Sequence, residues 1–174
     1  MFEKIRKMKN QKGFTLVELI VVLVILAILA AMLVPALTGY IDKANNEKII
    51  AATRQVVMAA QTEVSEAYAS KTLKDNSVIT IDSAASTDPG KPAYTGCAKT
   101  DVDGCEIVKL AEVATVSGET CTFKNGITKI VIKYNAKGHV AEVELKQGTK
   151  TCTYMEGGIT GTFDYTSGNY GVKK

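Results

Sequence analysis

The sequence predicts an α+β protein in which one long N-terminal helix packs on a small antiparallel β-sheet. Two observations carry the prediction: a helical pattern of apolar residues over residues 14–69, and an alternation with a period of two after residue 126. A helix with one apolar stripe and a sheet with one apolar face bury both surfaces by packing together. The 174 residues suffice for one domain and an accessory segment.

The first thirteen residues form a basic leader. They carry five basic side chains and one acidic one, a net charge of +4, whereas the whole chain has +3. The remainder is therefore nearly neutral and lacks the basic patch with which proteins neutralise nucleic-acid phosphates. We do not expect a nucleic-acid partner.

An apolar segment follows the leader. Leu19–Ile41 contains no charged side chain, and Leu19–Leu37 is apolar apart from Pro35, which is long enough to cross a bilayer as a helix. Because the Lys and Arg residues precede this segment, we expect the N-terminus to stay in the cytoplasm and the C-terminal part to face outward. A conventional secretory cleavage after the small residues at 27–36 and an uncleaved anchor are the alternatives.

The junction between leader and apolar segment carries Gly13-Phe14-Thr15-Leu16-Val17-Glu18. A basic leader that ends in Gly, then Phe and a Glu four residues later, resembles the class III signal of type IV pilins and pseudopilins over about residues 8–40. The resemblance implies the pilin fold, cleavage between Gly13 and Phe14 by a prepilin peptidase, and N-methylation of Phe14. It also implies a helical homopolymer as the product, with an inner-membrane assembly platform and an assembly ATPase as partners.

Glu18 is the strongest functional candidate. A carboxylate in a membrane-spanning helix costs a few kcal/mol and marks a functional residue with a partner. After cleavage, the α-amino group of Phe14 is a cation at neutral pH, and pairing with Glu18 of an adjacent subunit would fix the axial offset between helices. The alternative is a carboxylate solvated at the membrane interface.

The helix is expected to extend far beyond the membrane. Phe14–Ala69 corresponds to about 80 Å at 1.5 Å per residue, and its second half is amphipathic. Pro35 removes a backbone donor and Gly39 weakens the same stretch, so we expect a kink or a melted turn there, although membrane helices also tolerate proline without a functional purpose. The expected buried stripe comprises Ala44, Ile49, Ala52, Val56, Ala60, Val64 and Ala67.

The remaining chain is expected to form a globular head. Turn-forming residues predict a loop over Ser77–Gly96, and helical spacing predicts a short helix over Glu106–Ala114. Period-two alternation predicts a hairpin and two further strands: Ile127–Tyr134, His139–Leu145, Lys150–Met155 and Thr162–Tyr165. We therefore divide the chain into a removed leader (1–13), a transmembrane and filament-core helix (14–40), an amphipathic helix half (41–69) and a head (70–174, with a loop region 70–120 and a sheet 121–174).

Four cysteines in an exported chain indicate two disulfides, for which three pairings exist. We predict Cys97–Cys105 and Cys121–Cys152, each stabilising by roughly 2–4 kcal/mol. A zinc site is disfavoured because no two cysteines are separated by two to four residues and the only histidine, His139, is remote in sequence.

Candidate sites for other chemistry are weak. Asp101-Val-Asp103-Gly104 resembles a fragment of a calcium loop, but the full pattern is absent, so we interpret it as a solvated turn and expect no metal. His139 is expected to be exposed. We find neither a nucleophile elbow nor a phosphate-binding loop, and expect no catalytic residue and no cofactor.

Three functions fit these features. The first is a major-pilin-like subunit of an extracellular filament that serves adhesion, aggregation and biofilm formation, or twitching motility. The second is a pseudopilin of a type II secretion or DNA-uptake system, which cellular abundance would distinguish from a major pilin. The third is a membrane-tethered binding module that never polymerises, for which Glu18→Ala would leave assembly and export unchanged.

Overall fold

The protein was analysed as a computed structural model that describes residues 13–70, 73, 77–82, 102–117 and 120–174. These residues divide between Lys43 and Ala44 into two compact units. Within the described ranges the chain forms two helices and eight strands. They are α1 (Leu16–Ser70), β1 (Ser77–Asp82), α2 (Gly104–Leu110), β2 (Ala114–Ser117), β3 (Thr120–Phe123), β4 (Ile127–Tyr134), β5 (Val140–Gln147), β6 (Lys150–Met155), β7 (Tyr165–Ser167) and β8 (Tyr170–Lys173).

Helix α1 is one continuous element, and its residues from 44 onward belong to the second unit. Five residues of the predicted stripe are buried, as expected. The other two are not, since Ala44 is exposed and Ala52 is only half-buried. The stripe is also wider than predicted. Its buried residues are Ile49, Ile50, Thr53, Val56, Ala59, Ala60, Val64 and Ala67.

A six-stranded antiparallel sheet supplies the other side of the core, with the strand order β1-β4-β5-β6-β8-β7. Fully buried side chains alternate along its central strands, as at Ile130 and Ile132 of β4 and Val143 and Leu145 of β5. They join the helical stripe in one hydrophobic cluster, and each such side chain contributes roughly 1.5–3 kcal/mol on burial. The α+β architecture and the pilin fold expected from the resemblance are confirmed.

The β4–β5 hairpin is confirmed with nearly the predicted bounds. Asn135 Oδ1 accepts hydrogen bonds from the backbone N–H groups of Lys137 (3.0 Å) and His139 (3.1 Å), which closes the loop. Gly138 has φ +81°, a conformation that side-chain-bearing residues rarely adopt. A Cβ atom there would lie 3.0 Å from Cβ of Tyr68, so Gly138 is also required by packing.

Gln61 links helix α1 to this hairpin. Its Nε2 donates to the carbonyl oxygen of Gly138 at 2.7 Å, and its Oε1 accepts from the backbone N–H of Val140 at 2.9 Å. One amide side chain therefore satisfies two backbone groups at the point where the hairpin leaves its turn. Unpaired buried backbone groups are costly, so this contact fixes the hairpin against the helix.

Three predicted elements differ from the structure. Ser77–Asp82, predicted as loop, is strand β1, because pairing with β4 buries Ile79 and Ile81; residues 83–96 of that loop lie outside the described residues. The short helix begins and ends earlier than predicted, at Gly104–Leu110, since Glu112 takes a left-handed φ of 57° and Ala114 already begins β2. The last predicted strand begins at Tyr165, and β8 was not predicted.

Candidate functional site

The apolar half of α1 has no protein partner within the described residues of one subunit. Every large apolar side chain from Phe14 to Ile41 is exposed, from 49 % at Val22 to 83 % at Phe14. By length and composition, α1 is the one helix in the described part of the chain that could cross a membrane. An apolar surface of this extent is stable only in lipid or against other apolar helices.

Thr15 and Glu18 cap the start of this helix reciprocally. Glu18 Oε2 accepts a hydrogen bond from Thr15 N at 2.9 Å and from Thr15 Oγ1 at 2.7 Å. In return, Thr15 Oγ1 accepts from the backbone N–H of Glu18 at 3.2 Å. This is the capping box, in which an N-cap Thr and a Glu three residues later satisfy each other's backbone donors. Thr15 had no predicted role, although the T-x-x-E pattern of a capping box is visible in the sequence.

The two oxygens of the Glu18 carboxylate are not equivalent. Both hydrogen bonds end on Oε2, and Oε1 receives no hydrogen bond from any residue that the structure describes. The carboxylate therefore retains one acceptor while it caps its own helix. Phe14 lies four residues upstream and is strongly exposed, so its backbone nitrogen can be reached from outside the subunit.

Gly13 lies on the predicted cleavage site and is exposed. A Cβ atom at this position would meet no atom within 4 Å. Packing within the described part of the subunit therefore does not require glycine here.

Helix α1 is unbroken through Pro35 and Gly39. The melted turn is therefore not found in the single subunit, while the kink stays a prediction. Pro35 lacks an N–H and cannot donate to the carbonyl of Ala31, so one helical hydrogen bond is missing. Thr38 Oγ1 donates to the carbonyl of Pro35 at 2.8 Å and occupies that acceptor locally.

Residues 8–34 match the family model of the prokaryotic N-terminal methylation motif. This N-terminus is similar to that of type IV pilin-like prepilins. The match covers the end of the basic leader and most of the apolar segment, and together with the long apolar helix it supports a membrane-anchored precursor of the type IV pilin-like or pseudopilin kind. The motif implies processing by a prepilin peptidase and assembly into a pilus-like polymer. No curated protein and no solved structure matches the chain.

The cysteines of the prepilin head are distributed differently from the prediction. Cys105 is disulfide-bonded; its predicted partner, Cys97, lies outside the described residues. Cys152 is buried and keeps its thiol, so the predicted Cys121–Cys152 bridge is not formed in the structure. Cys121 lies on β3 of the two-stranded sheet, whereas Cys152 lies on β6 of the six-stranded sheet. Burial raises the pKa of the Cys152 thiol to about 11, partly offset by a hydrogen bond with Thr53.

The remaining candidates of the sequence analysis have structural roles where they are described. Asp103 is the N-cap of α2, and its Oδ1 accepts from Cys105 N at 2.9 Å. Asp101 lies outside the described residues, and no cluster suited to a metal ion occurs in the ranges that the structure covers. His139 is exposed, as predicted, with Nδ1 at 3.4 Å from Glu156 Oε1.

A groove of about 680 Å³ lies in the second unit, where α1 faces two turns of the sheets. Lys48, Gln55 and Lys150 are among its lining residues, together with Glu112 and Asn125. These last two residues have left-handed φ angles of 57° and 56°. The groove was not predicted from the sequence, because its walls come from segments that are remote in sequence.

Proposed function

We propose that the mature chain is the structural subunit of a type IV pilus, processed after Gly13, N-methylated on Phe14 and polymerised into an extracellular filament. In this proposal the leader stays in the cytoplasm, and the second unit is carried to the outer side of the membrane. The filament would serve adhesion, aggregation and biofilm formation, or twitching motility. An inner-membrane assembly platform and an assembly ATPase would extract the subunits from the bilayer.

The exposed apolar half of α1 is the observation that carries the proposal. It contains no charged side chain from Leu19 to Ile41, and none of its most apolar window is buried within the subunit. In the precursor, lipid covers this apolar surface and keeps it from water. After extraction, the same helices of neighbouring subunits can cover it equally well in a bundle, because apolar helices pack through van der Waals contacts once water is excluded.

Glu18 gives this bundle its register. Removal of the leader creates a positive amine on Phe14, and Glu18 Oε1 is the acceptor that the capping box leaves available. A pair between this amine and Glu18 of an adjacent subunit neutralises two charges that an apolar interior disfavours. An apolar interface alone specifies no axial position, whereas one charged pair does.

A pseudopilin of a type II secretion or DNA-uptake system is the second candidate. The observation in its favour is that the matched motif at residues 8–34 is common to both kinds of precursor. A major pilin has to be made in large excess over its assembly machinery, whereas a pseudopilin does not. Quantitative mass spectrometry of subunit against assembly ATPase in the native cell distinguishes the two.

Mass analysis of filaments sheared from native cells tests the proposal. The expected mature chain begins at Phe14, is heavier by one methyl group than the sequence, and is recovered in the sheared fraction. A chain that begins within residues 30–37, or an unprocessed chain found only in membranes, would contradict it. A processed and methylated chain that never leaves the membrane would support cleavage and overturn polymerisation.

A further inference from the structure

Three lysines lie in one row across the six-stranded sheet. In the register of the sheet, Lys129 of β4 lies opposite Lys146 of β5. Lys146 in turn lies opposite Thr151 of β6, which pairs with Lys173 of β8. We call Lys129, Lys146 and Lys173 the lysine row. Because neighbouring strands lie about 4.8 Å apart, the row spans roughly 14 Å of the sheet.

The lysine row faces away from helix α1. Side chains alternate between the two faces along a strand, and the neighbours of the three lysines, namely Ile130, Leu145 and Val172, belong to the core on the helix side. The row therefore lies on the outer face of the sheet. Asp82 and Glu144 lie on the same face, so three positive charges there stand against two negative ones.

The charges of the row are not paired within the subunit. Lys129 and Lys146 lie directly opposite each other, an arrangement that destabilises an antiparallel pair because like charges repel. On the same two strands, Lys133 lies opposite Glu142, and these two form an ion pair of 2.7 Å. Neither Lys129, Lys146 nor Lys173 forms an ion pair with a residue that the structure describes.

Carboxylates collect on the helix side of the second unit, where α1 is close to α2. Burial raises the pKa of Glu63, and the nearby carboxylates of Glu66, Glu106 and Asp103 raise it further. We call these four residues the acidic ridge. Among the described residues, Glu106 alone of the four has an ion-pair partner, Lys109 at 3.1 Å. No three described acidic, His or Cys residues could hold one metal ion, so the ridge suits several separate cations.

We propose that the lysine row of one subunit docks on the acidic ridge of a second copy of this chain. This contact rests on the proposed polymer and adds an interface between second units to the bundle of helices. The sheet separates row from ridge, so the two cannot pair within one molecule. A contact between two different surfaces continues from copy to copy and forms an open chain. Such a contact suits a filament.

Docking relieves repulsion on both surfaces. The opposed Lys129 and Lys146 are unfavourable in the free subunit, and so is the crowding of carboxylates around Glu63. A partner surface of opposite sign compensates both. Complementary charges fix register and orientation more than they add affinity, so the row and the ridge set how neighbouring second units are placed while the apolar helices hold the polymer together.

Cross-linking of sheared filaments tests the proposal. A water-soluble carbodiimide joins a lysine amine to a carboxylate only where the two groups are in contact. Filaments of the mature chain are treated, and the monomer and dimer bands of a denaturing gel are digested and mapped by mass spectrometry. Lys133 and Glu142 are the internal control, because their cross-link forms within one subunit. Peptides that join a row lysine to a ridge carboxylate are expected in the dimer band and not in the monomer band.

Charge reversal supplies the matched variants. Lys146→Glu is expected to lower the yield of cross-links from Lys129 and Lys173 to the ridge, because it reverses the charge at the centre of the row. Glu66→Lys in the same chain is expected to recover them, since the reversed surfaces attract again. Lys137→Glu, at an exposed position of the β4–β5 turn, makes the same change of charge outside the row and should leave the cross-links unchanged.

The outcomes separate this contact from the polymer itself. Filaments that show the Lys133–Glu142 cross-link but none between row and ridge overturn the docking and leave the proposed polymer intact. Row lysines joined to a different protein overturn it as well. A mature chain recovered in no polymer overturns the proposed function, and the docking with it. The wild-type map decides the question even where a variant does not fold.

Discussion

Thr15 and Glu18 hold each other at the start of α1: Glu18 Oε2 accepts from both Thr15 N and Thr15 Oγ1, and Thr15 Oγ1 accepts from Glu18 N. The residue that we propose as the partner of a neighbouring subunit is thus already engaged within its own helix. Capping needs an oxygen acceptor at position 18, whereas pairing with an amine needs a negative charge. The two roles can be separated by substitution.

Glu18→Gln retains the capping box, because Gln also serves in it, but removes the charge. We expect processing after Gly13 to continue and filaments on the cell surface to be lost. The matched variant, Thr15→Val, keeps the charge and removes the cap, at a cost of about 1 kcal/mol in helix stability. Electron microscopy and sheared-fraction immunoblots should show filaments for Thr15→Val only, and equal filament yields from the two variants would contradict the register role of Glu18.

Gln61→Leu is expected to destabilise the head. The substitution keeps the approximate volume but leaves the carbonyl of Gly138 and the N–H of Val140 without their partner, at a cost of roughly 1–3 kcal/mol. Urea denaturation of the detergent-solubilised chain, followed by circular dichroism, measures the change. Gln55→Leu, at an exposed position of the same helix, is the control and should shift the midpoint little.

Gly138→Ala should cost more than Gly126→Ala, although both positions have positive φ, +81° and +72°. The backbone strain is therefore similar, and typically of order 1 kcal/mol. Only at Gly138 does the added Cβ lie 3.0 Å from Tyr68, whereas it meets nothing within 4 Å at Gly126. Thermal unfolding of the two variants isolates this contact, and an equal loss in both would show that Tyr68 moves away without cost.

The Cys152 thiol makes stability depend on pH in the alkaline range. Its pKa is raised from 9.0 to about 11 by burial, so the folded state retains the proton between these values while the unfolded state loses it. The contribution is fully present below pH 9 and is lost as pH rises towards 11, by roughly 2 kcal/mol. Wild type should therefore lose stability relative to Cys152→Ala over this range.

Unfolding rates measured by stopped-flow circular dichroism immediately after a pH jump check this prediction before disulfides rearrange. The comparison with Cys152→Ala cancels the titration of Tyr and Lys residues, which is common to both proteins. Parallel pH profiles for the two chains would mean that Cys152 ionises as readily in the folded state as in the unfolded one.

Local patterns were sufficient for the elements that depend on neighbours in sequence. The helix is confirmed because its stripe, such as Val56, Ala60 and Val64, repeats at helical spacing over many turns. The β4–β5 hairpin is confirmed because its turn carries Asn135 and Gly138, the residue types that such turns require. Ala44 follows the same helical pattern but is exposed, since the pattern does not show where the core ends.

Contacts between remote segments could not be inferred from spacing. Strand β1 was predicted as loop because its partner, β4, lies about fifty residues later and alone determines which side chains of β1 are buried. The predicted Cys121–Cys152 pairing was wrong for the same reason, because spacing along the sequence does not show which cysteines lie within bonding distance of each other. Gln61 gave no sequence signal, because its partners are backbone groups 77 and 79 residues away.

The two outer strands of the six-stranded sheet, β1 and β7, have another consequence. Each has backbone groups along one side without a neighbouring strand of the described sheet, and such edges attract strands from other molecules. A filament would hold many of these heads at high local concentration. Strand β7 has only three residues, and β1 ends in the acidic residue Asp82. Neither edge is therefore well suited to pairing with a strand of another molecule. If the subunits assemble through their helices, as proposed, the form of these edges keeps the heads from also aggregating through their strands.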